Sequence, residues 1–419
     1  MQYVGVTAAF VLIMYLSVKK MSLSKVMFIA TVVIALTSGL TPGVIASTVW
    51  SAFIEKGTLE LAAAVLTIGL FSTTMKEFGF LEKTVSGLAA FLGNVKAAIM
   101  AVPALIGTMP VLGGAALSAP LVDKLGSSLD LKPETLAAAN LVFRHGMFFL
   151  FPFSPSLILA AQLTGLTVSD LIKRLWPLSI VIWALGYFAH LRKAKVIPAS
   201  AQAQAETAAT ATAAPGGRLS GLVEFLKYGG PLISALLLGL LLKLPLWIAL
   251  LAGTALAYGL GLYEKRELPK PSALLKGANF SQVTAMFWIM AFKAFVTASP
   301  VFPALVSKAT EQGVSPAMMA LVLPLLFGFG SASQTTTIGV LIPILIPLGE
   351  SPAVRLAYLA VIYGASFTAY FFSPLHMCQV LTCQYFKVDF TKMYRYNWTI
   401  LVGLLASIGV YFALLLRVV

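Results

Sequence analysis

The sequence predicts an all-α polytopic membrane protein made of two inverted repeats of five spans, each with a re-entrant hairpin and a broken helix. Three observations carry this prediction: the composition, a constant offset between two sets of apolar segments, and Ser-Pro pairs inside long apolar runs. Of 419 residues, 59% are hydrophobic and 11% are charged, whereas soluble chains have about 25% charged residues. A soluble fold could not cover so much apolar surface. The composition therefore excludes a soluble enzyme, a nucleic-acid binder and a disordered scaffold, and the continuous apolar runs exclude a β-barrel.

The net charge of +14 is explained by membrane topology and needs no nucleic-acid partner. Lys and Arg retained in cytoplasmic loops give such an excess through the positive-inside bias. Cys378 and Cys383 lie in one late apolar segment and imply neither a disulfide framework nor a zinc site. The lysines near the amino terminus follow the first apolar run, so we expect a retained first span and no signal peptide.

Ten apolar segments are long enough to cross a bilayer, which needs about 17–25 residues. They fall near 2–18, 24–40, 59–75, 133–168, 171–189, 222–243, 245–262, 279–297, 352–386 and 392–416. An Ala/Thr/Gln stretch, 201–214, separates the two groups of five. Its composition cannot bury a core, so it is expected to be a flexible linker.

An offset of about 220 residues places the first group of segments on the second. Pro103 and Gly107 match Pro324 and Gly328, which are 221 residues further along the chain. The Ser154-Pro155 pair likewise matches Ser373-Pro374 at an offset of 219. The sequence thus predicts a first repeat over 1–190, a cytoplasmic linker over 191–221 and a second repeat over 222–419.

Five crossings per repeat is an odd number, so the second repeat should be inserted upside down. The basic residues that flank the spans agree if the linker is cytoplasmic and both termini lie outside; Lys173 and Arg174 break this pattern. A multi-pass protein of the inner (plasma) membrane is expected, with the lipid bilayer as its surroundings.

A re-entrant hairpin is predicted in each repeat, over about 97–125 and 315–347. Each stretch is apolar, is interrupted midway and is too short to cross twice. Non-helical backbone at membrane depth is tolerated only inside protein or beside a water-filled cavity. The tips supply hydroxyl, amide and glycine groups, which serve either a ligand or hydrogen bonds to the scaffold: Thr108, Gly113, Gly114, Ser118, Ser331, Ser333, Gln334, Thr335 and Thr336.

Broken helices are predicted at Ser154-Pro155 and Ser373-Pro374. Proline removes a backbone donor, and Ser followed by Pro is typical of the N-cap and first residue of a new helix. A half-helix that begins inside the membrane offers free N–H groups to an anion. A simple proline kink is the alternative, but the motif occurs in both repeats beside a hairpin.

Charged and ionisable groups inside spans are few, and each is by default a functional candidate. Asn140 and Arg144 are candidate substrate ligands, and Lys293, His145, His376 and Asp123 are candidate coupling groups. Lys293 is expected near the second hairpin tip, with snorkelling to an interface as the alternative. For Arg144, the alternative to a ligand role is a structural ion pair with Asp123. For each histidine, the alternative to a coupling role is a buried imidazole whose hydrogen bonds are satisfied.

Motifs for hydrolysis, nucleotide binding and metal ligation do not occur, so no enzyme activity and no cofactor is predicted. A cation pathway usually needs buried acids, whereas this sequence offers cationic and dipolar groups. The predicted substrate is therefore a small anion.

The chain resembles the ion transporter superfamily over nearly its whole length. Within it, residues 110–123 (PVLGGAALSAPLVD) and 140–145 (NLVFRH) are similar to a membrane family of unknown function. Relatives of that family include gluconate permeases and divalent-anion/sodium symporters. The resemblance implies a dimerisation scaffold, a mobile domain with hairpins and broken helices, elevator-type alternating access and a homodimer. The Ser-Asn-Thr sodium signature of the symporters is missing at the first tip, which has Ser118-Ala119-Pro120.

A secondary active transporter for an organic anion, most simply a carboxylate, is the function predicted, with Na⁺ or H⁺ as coupling ion. A cation/proton antiporter that uses Asp123 and the histidines is the alternative within transport. A membrane scaffold subunit with no transport of its own is the alternative outside it.

Overall fold

The computed structural model is all-α and describes residues 2–109, 114–197, 217–349 and 351–417. In the first half, prolines begin three of the helices and the N-cap Asn94 accepts a hydrogen bond from Ala97 N. The helices of this half are α1 (Gln2–Val18), α2 (Leu23–Thr37), α3 (Pro42–Ile54), α4 (Lys56–Glu77), α5 (Phe80–Leu92), α6 (Val95–Gly107), α7 (Gly114–Gly126), α8 (Pro133–His145), α9 (Pro155–Thr164) and α10 (Val168–Gly186). A 3₁₀ turn, Gly146–Phe149, follows α8, and a π turn, Tyr187–Leu191, follows α10.

The second half repeats this order of elements. Its helices are α11 (Gly217–Leu240), α12 (Leu246–Tyr263), α13 (Pro271–Gly277), α14 (Phe280–Ala298), α15 (Val301–Glu311), α16 (Pro316–Ser331), α17 (Gln334–Leu345), α18 (Pro352–Phe371), α19 (Met377–Phe386) and α20 (Phe390–Arg417). Each half therefore has ten described helices, with the short and long ones at matching places. The duplication and the inverted orientation of the halves both stay predictions.

Most predicted elements agree closely with observed helices. Both broken segments and both hairpins appear as helix pairs, α8–α9, α18–α19, α6–α7 and α16–α17. Four further helices, α3, α5, α13 and α15, lie between the predicted segments and were not anticipated. The linker at 201–214 and Gly113 lie outside the described residues.

Seven helices of the described chain are long and apolar enough to cross a membrane: α4, α10, α11, α12, α14, α18 and α20. The pair α15–α16 would add an eighth, although it bends by 111°. The helices α1 and α2 are apolar but only 17 and 15 residues long. The chain is thus a polytopic α-helical membrane protein, and the count of ten crossings remains a prediction.

Gly107 and Gly328, at matching places in the two halves, make the same type of contact. A Cβ atom on Gly107 would lie 2.2 Å from the backbone oxygen of Arg144, and one on Gly328 would lie 2.8 Å from that of Ser366. Since the glycines lack a Cβ, the first helix of each hairpin can touch the backbone of the helix that follows the hairpin.

The matching helices α4 and α14 run antiparallel. The end of α4 meets the start of α14, where a Cβ atom on Gly277 would lie 1.9 Å from Thr73 Oγ1. The start of α4 lies near the end of α14, since Glu55 and Lys293 line the same cavity. Equivalent helices of an inverted repeat would have this relation.

A charged cluster around Glu264, a residue outside the spans, ties three helices together. Glu264, just past the end of α12, accepts hydrogen bonds from Lys227 at 2.6 Å, Tyr228 at 2.7 Å and Arg266 at 2.8 Å. Burial by itself raises the pKa of Glu264, but these three donors lower it to about 2. Lys83 of α5 joins the cluster through the Tyr228 hydroxyl. The carboxylate therefore stays ionised at neutral pH and fixes α12 against α5 and α11.

Candidate functional site

The hairpins and broken helices are interleaved between the two halves. In the first hairpin, α7 packs against α19, the second broken helix; in the second hairpin, α17 packs against α9, the first one. A hydrogen bond of 3.0 Å between Ser156 and Thr335 joins α9 to α17. Each half-helix therefore begins beside the hairpin tip of the other half, and the predicted site residues come from both halves.

Arg144 is the central group of one such junction. Its side chain is 5% exposed, and it is the only buried Lys, Arg, Asp or Glu among the described residues. The guanidinium lies beside the Cys378 side chain, and its Nε and Nη1 atoms have no partner. The first residue of α7 is so close that a Cβ atom on Gly114 would lie 2.3 Å from Nη2. A buried cation with vacant donors therefore faces the start of α7.

Two histidines adjoin this arginine. The rings of His145 and His376 lie 4.8 Å apart between centroids and are nearly perpendicular. Their Nδ1 atoms face the backbone oxygens of Leu141 at 2.8 Å and Phe371 at 3.4 Å, and their Nε2 atoms have no partner. Arg144, His145, His376 and Cys378 are called the arginine cluster below.

Two buried amides complete the same region. Asn140 donates from Nδ2 to Thr382 Oγ1 at 3.3 Å and to Ala115 O at 3.4 Å. Gln379 donates to the backbone oxygen of Phe371. The Oδ1 and Oε1 atoms of these two amides have no partner, although buried polar atoms are usually hydrogen-bonded. Unsatisfied groups thus concentrate around Arg144.

At the second junction, the α17 residues Gln334 and Thr335 face outward from the hairpin. Gln334 donates to the backbone oxygen of Tyr363 at 3.5 Å, and its Oε1 has no partner. The Tyr363 hydroxyl donates to Phe148 O at 3.0 Å. Tyr363 links the second tip to the first break.

The other predicted tip residues satisfy the hairpins themselves. The hydroxyl oxygens of Ser331 and Thr337 lie 3.4 Å apart, and the Thr336 hydroxyl donates to the Ser333 hydroxyl at 2.7 Å. Thr108 and Ser118 donate to backbone oxygens of their own helices. These hydroxyl groups bond within their own hairpins and not to the scaffold, which was the alternative, and their role toward a ligand stays a prediction.

The two Ser-Pro pairs do not act alike. Ser154 is the N-cap of α9 and Pro155 its first residue, as predicted. The second helix begins only at Met377, with His376 as N-cap, so the prediction that Ser373 caps it is wrong. The Ser373 hydroxyl instead donates to Phe329 O at 2.7 Å, which ties this break to α16.

Asp123 lies away from the arginine cluster. Its side chain is exposed, and it accepts a hydrogen bond from Tyr385 at 3.3 Å. It follows Gly114 by nine residues in α7, which is about 14 Å along the helix axis. The alternative of an Arg144–Asp123 pair is therefore wrong.

Lys293 is half-buried and lines a cavity of about 530 Å³ with Ser47, Thr48 and Glu55. These residues come from α3 and its carboxyl end, not from the second tip. The polar surroundings agree with the snorkelling alternative, and the expected position near that tip stays a prediction.

A second cavity, of about 240 Å³, reaches Pro155 at the first break. It is lined by polar side chains of α4 and the α13–α14 segment: Ser72, Thr73, Lys76, Glu77, Lys276, Asn279 and Gln282. The cavity thus places polar side chains beside the start of α9.

Comparison with known proteins identifies the family. The sequence matches the family described as protein of unknown function DUF401 over residues 5–205 and 219–417. The chain belongs to the DUF401 family. No curated protein shows significant sequence similarity to it.

A solved membrane transporter has a similar fold. The chain is similar to the Alcanivorax borkumensis YdaH transporter, whose crystal structure reveals an unusual topology, with a TM-score of 0.54 and 16% identity. The alignment covers 87% of this chain and 86% of that one. At this identity the likeness concerns the fold, and it agrees with the predicted polytopic membrane architecture.

Sequence reasoning missed three residues of the site: Tyr363, Gln379 and Cys378. Gln379 and Cys378 lie within one turn after His376, a residue that had been selected, so a wider window around the second break would have included them. Tyr363 carries no such signal, since it lies inside an ordinary apolar helix.

Proposed function

We propose that this DUF401 protein is a secondary active transporter for a small organic anion, with a carboxylate as the preferred substrate group. The observation that carries the proposal is Arg144, buried without an acidic partner and with two vacant guanidinium nitrogens. An unpaired buried charge is expensive, so its retention calls for a counter-charge at some point of the working cycle. Guanidinium also binds carboxylate in a fork geometry.

The start of α19 adds to this electrostatic preference. His376 and Cys378 occupy its N-cap and first turn and adjoin Arg144, so the partial positive charge of a helix N-terminus lies beside the guanidinium. The described part of the chain contains no buried carboxylate that would favour a cation instead. This supports an anionic substrate over the cation/proton antiporter, whose candidate acid, Asp123, is exposed.

Coupling to H⁺ or Na⁺ and an elevator movement of hairpins and broken helices complete the proposal. The buried imidazoles of His145 and His376 are the candidate proton carriers, because each has an Nε2 atom free to accept a proton. Movement of the interleaved junctions against a homodimeric scaffold would expose the arginine cluster alternately to the two sides. A scaffold subunit without transport would have no use for unsatisfied buried groups.

A ligand screen tests the substrate class directly. Purified protein should gain thermal stability with a subset of small carboxylates and none with amines of equal size, because only an anion pairs with Arg144. Proteoliposomes should accumulate the same carboxylates, with and without a sodium or a proton gradient to identify the coupling ion. Stabilisation by amines alone would contradict the proposal.

Inverted topology has its own prediction. Cysteines introduced as Ser127→Cys, after α7, and Ala353→Cys, at the start of α18, occupy exposed positions between the hairpin and the broken helix of each half. They should react with a membrane-impermeant maleimide from opposite sides of sealed vesicles. The unmodified chain, with only Cys378 and Cys383, is the control. Labelling of both positions from one side would contradict the inverted repeat.

A further inference from the structure

His145, His376 and Cys378 have an arrangement that suits a metal ion. One ligand atom from each lies within 4.8 Å of the others. Both histidines are nearly inaccessible, at 0% and 2% exposure, and their Nε2 atoms have no partner. Two lone pairs of this kind in one small buried space lack any hydrogen-bond donor among the described residues.

The other ring nitrogen of each histidine already faces a backbone oxygen. Ligating imidazoles usually donate their other N–H to a backbone carbonyl or carboxylate, which fixes the tautomer and orients the ring. Here the Nδ1 atoms face Leu141 O and Phe371 O, so each Nε2 is the nitrogen that presents its lone pair.

Cys378 supplies the third ligand and the route of entry. Its side chain is partly exposed, unlike the two histidines, so an ion can arrive from that side. The thiolate that binds a metal would lie in the first turn of α19 and beside the Arg144 guanidinium, and both favour negative charge on sulfur.

The net charge of the buried site favours Cu(I) over Zn²⁺. Cu(I) would replace the thiol proton, which leaves to solvent, so the site together with Arg144 would keep a net charge of +1. Zn²⁺ would raise that charge to +2 in a buried place, at a large desolvation penalty. Thiolate and imidazole ligands suit Cu(I), and three ligands are enough for it. Separations near 3.5 Å between ligand atoms require only a small approach from the observed 4.8 Å.

We propose that His145, His376 and Cys378 form a binding site for one Cu(I) ion per chain. The ion would connect the end of α8 to the start of α19 and so hold a half-helix of the second repeat against a helix of the first. It would also occupy the Nε2 lone pairs proposed to carry protons, so the bound state is an inhibited one. The site itself does not depend on the transported substrate.

Anaerobic titration of the purified full-length protein with Cu(I), against a chromophoric Cu(I) chelator, tests the proposal without any transport assay. The wild type should bind one equivalent, and X-ray absorption should give a first shell of two nitrogens and one sulfur. Cys378→Ser should bind none, and His376→Gln should bind more than tenfold more weakly. Cys383→Ser is the matched control, because Cys383 lies in the same helix and contacts Met393 instead, and it should bind like the wild type.

Several results would overturn the site. They are the absence of binding by the wild type, undiminished binding by Cys378→Ser, equal loss with Cys383→Ser, or displacement of Cu(I) by equimolar Zn²⁺. If Cys378→Ser does not fold, the same loss of Cu(I) binding is tested with Cys378→Ala, and the sulfur ligand is tested by the X-ray absorption spectrum of the wild type. Copper binding without carboxylate binding would contradict only the proposed function. Carboxylate binding without copper binding would contradict only the copper site.

Discussion

Arg144→Met should lose at least about 30-fold in carboxylate affinity and show no measurable accumulation in proteoliposomes. Truncation of one member of a buried, hydrogen-bonded charge pair typically costs 2–5 kcal/mol, and the substrate carboxylate would be left unpaired. Met is unbranched and apolar, so it can fill the space of the arginine stem near the end of α8 without new polar groups. The measurement is isothermal titration of the carboxylate identified by the screen, followed by uptake.

The same substitution should leave the melting temperature of the ligand-free protein unchanged or raise it. Arg144 is buried with no acidic partner and only the Cys378 contact, so its charge opposes folding when no anion is bound. Replacement of buried charged groups by apolar ones is often neutral or stabilising. A structural arginine would behave in the opposite way, and a fall in melting temperature with intact binding would contradict the proposed role.

Two further variants separate charge from geometry. Arg144→Lys keeps the positive charge but loses the planar fork, so binding should fall by about tenfold and not vanish. Arg395→Gln is the matched control, because Arg395 is exposed at the start of α20 and should leave binding and uptake at the wild-type level. Equal losses in Arg144→Met and Arg395→Gln would indicate a general electrostatic effect.

Most helix positions could be predicted from the sequence, because a helix that crosses a bilayer must be long and apolar. Long apolar runs, the linker between them and a repeated offset predicted all ten segments within a few residues. The internal prolines and glycines also predicted the hairpins and breaks, since these residues restrict or release the backbone. The short helices α3, α5, α13 and α15 were missed because none has the length of a span.

The site was only partly predictable, because the partners of a buried polar group come from distant parts of the chain. Arg144 was selected correctly as a candidate, but its neighbours Gly114 and Cys378 are 30 residues before and 234 residues after it. Ser373 followed the local rule for an N-cap, yet its hydroxyl finds Phe329 O in another helix. Lys293 gave the same sequence signal as Arg144 and lies in a cavity with Glu55.

The glycines of the two hairpin tips differ in what an added side chain would contact. A Cβ atom on Gly114 would lie 2.3 Å from Nη2 and 2.7 Å from Nη1 of Arg144. On Gly330 it would meet only the flexible end of Met14, with Cε at 2.0 Å. Added volume at the first position therefore displaces the guanidinium, whereas at the second it shifts a side chain that can adopt other rotamers.

Gly114→Ala should abolish most uptake while the protein still folds, and Gly330→Ala should transport nearly as well as the wild type. Neither glycine has a positive φ, and alanine is favoured over glycine within helices by up to about 1 kcal/mol, so backbone strain is not expected. The double variant Gly114→Ala/Arg144→Met should bind the carboxylate as weakly as Arg144→Met alone and melt at the same temperature, because both changes remove the same interaction. Carboxylate affinity and melting temperature are measured for all four proteins, and uptake for the two single glycine variants. Equal effects of the two glycine substitutions, or additive losses in the double variant, would show that Gly114 acts through helix packing and not through the position of Arg144.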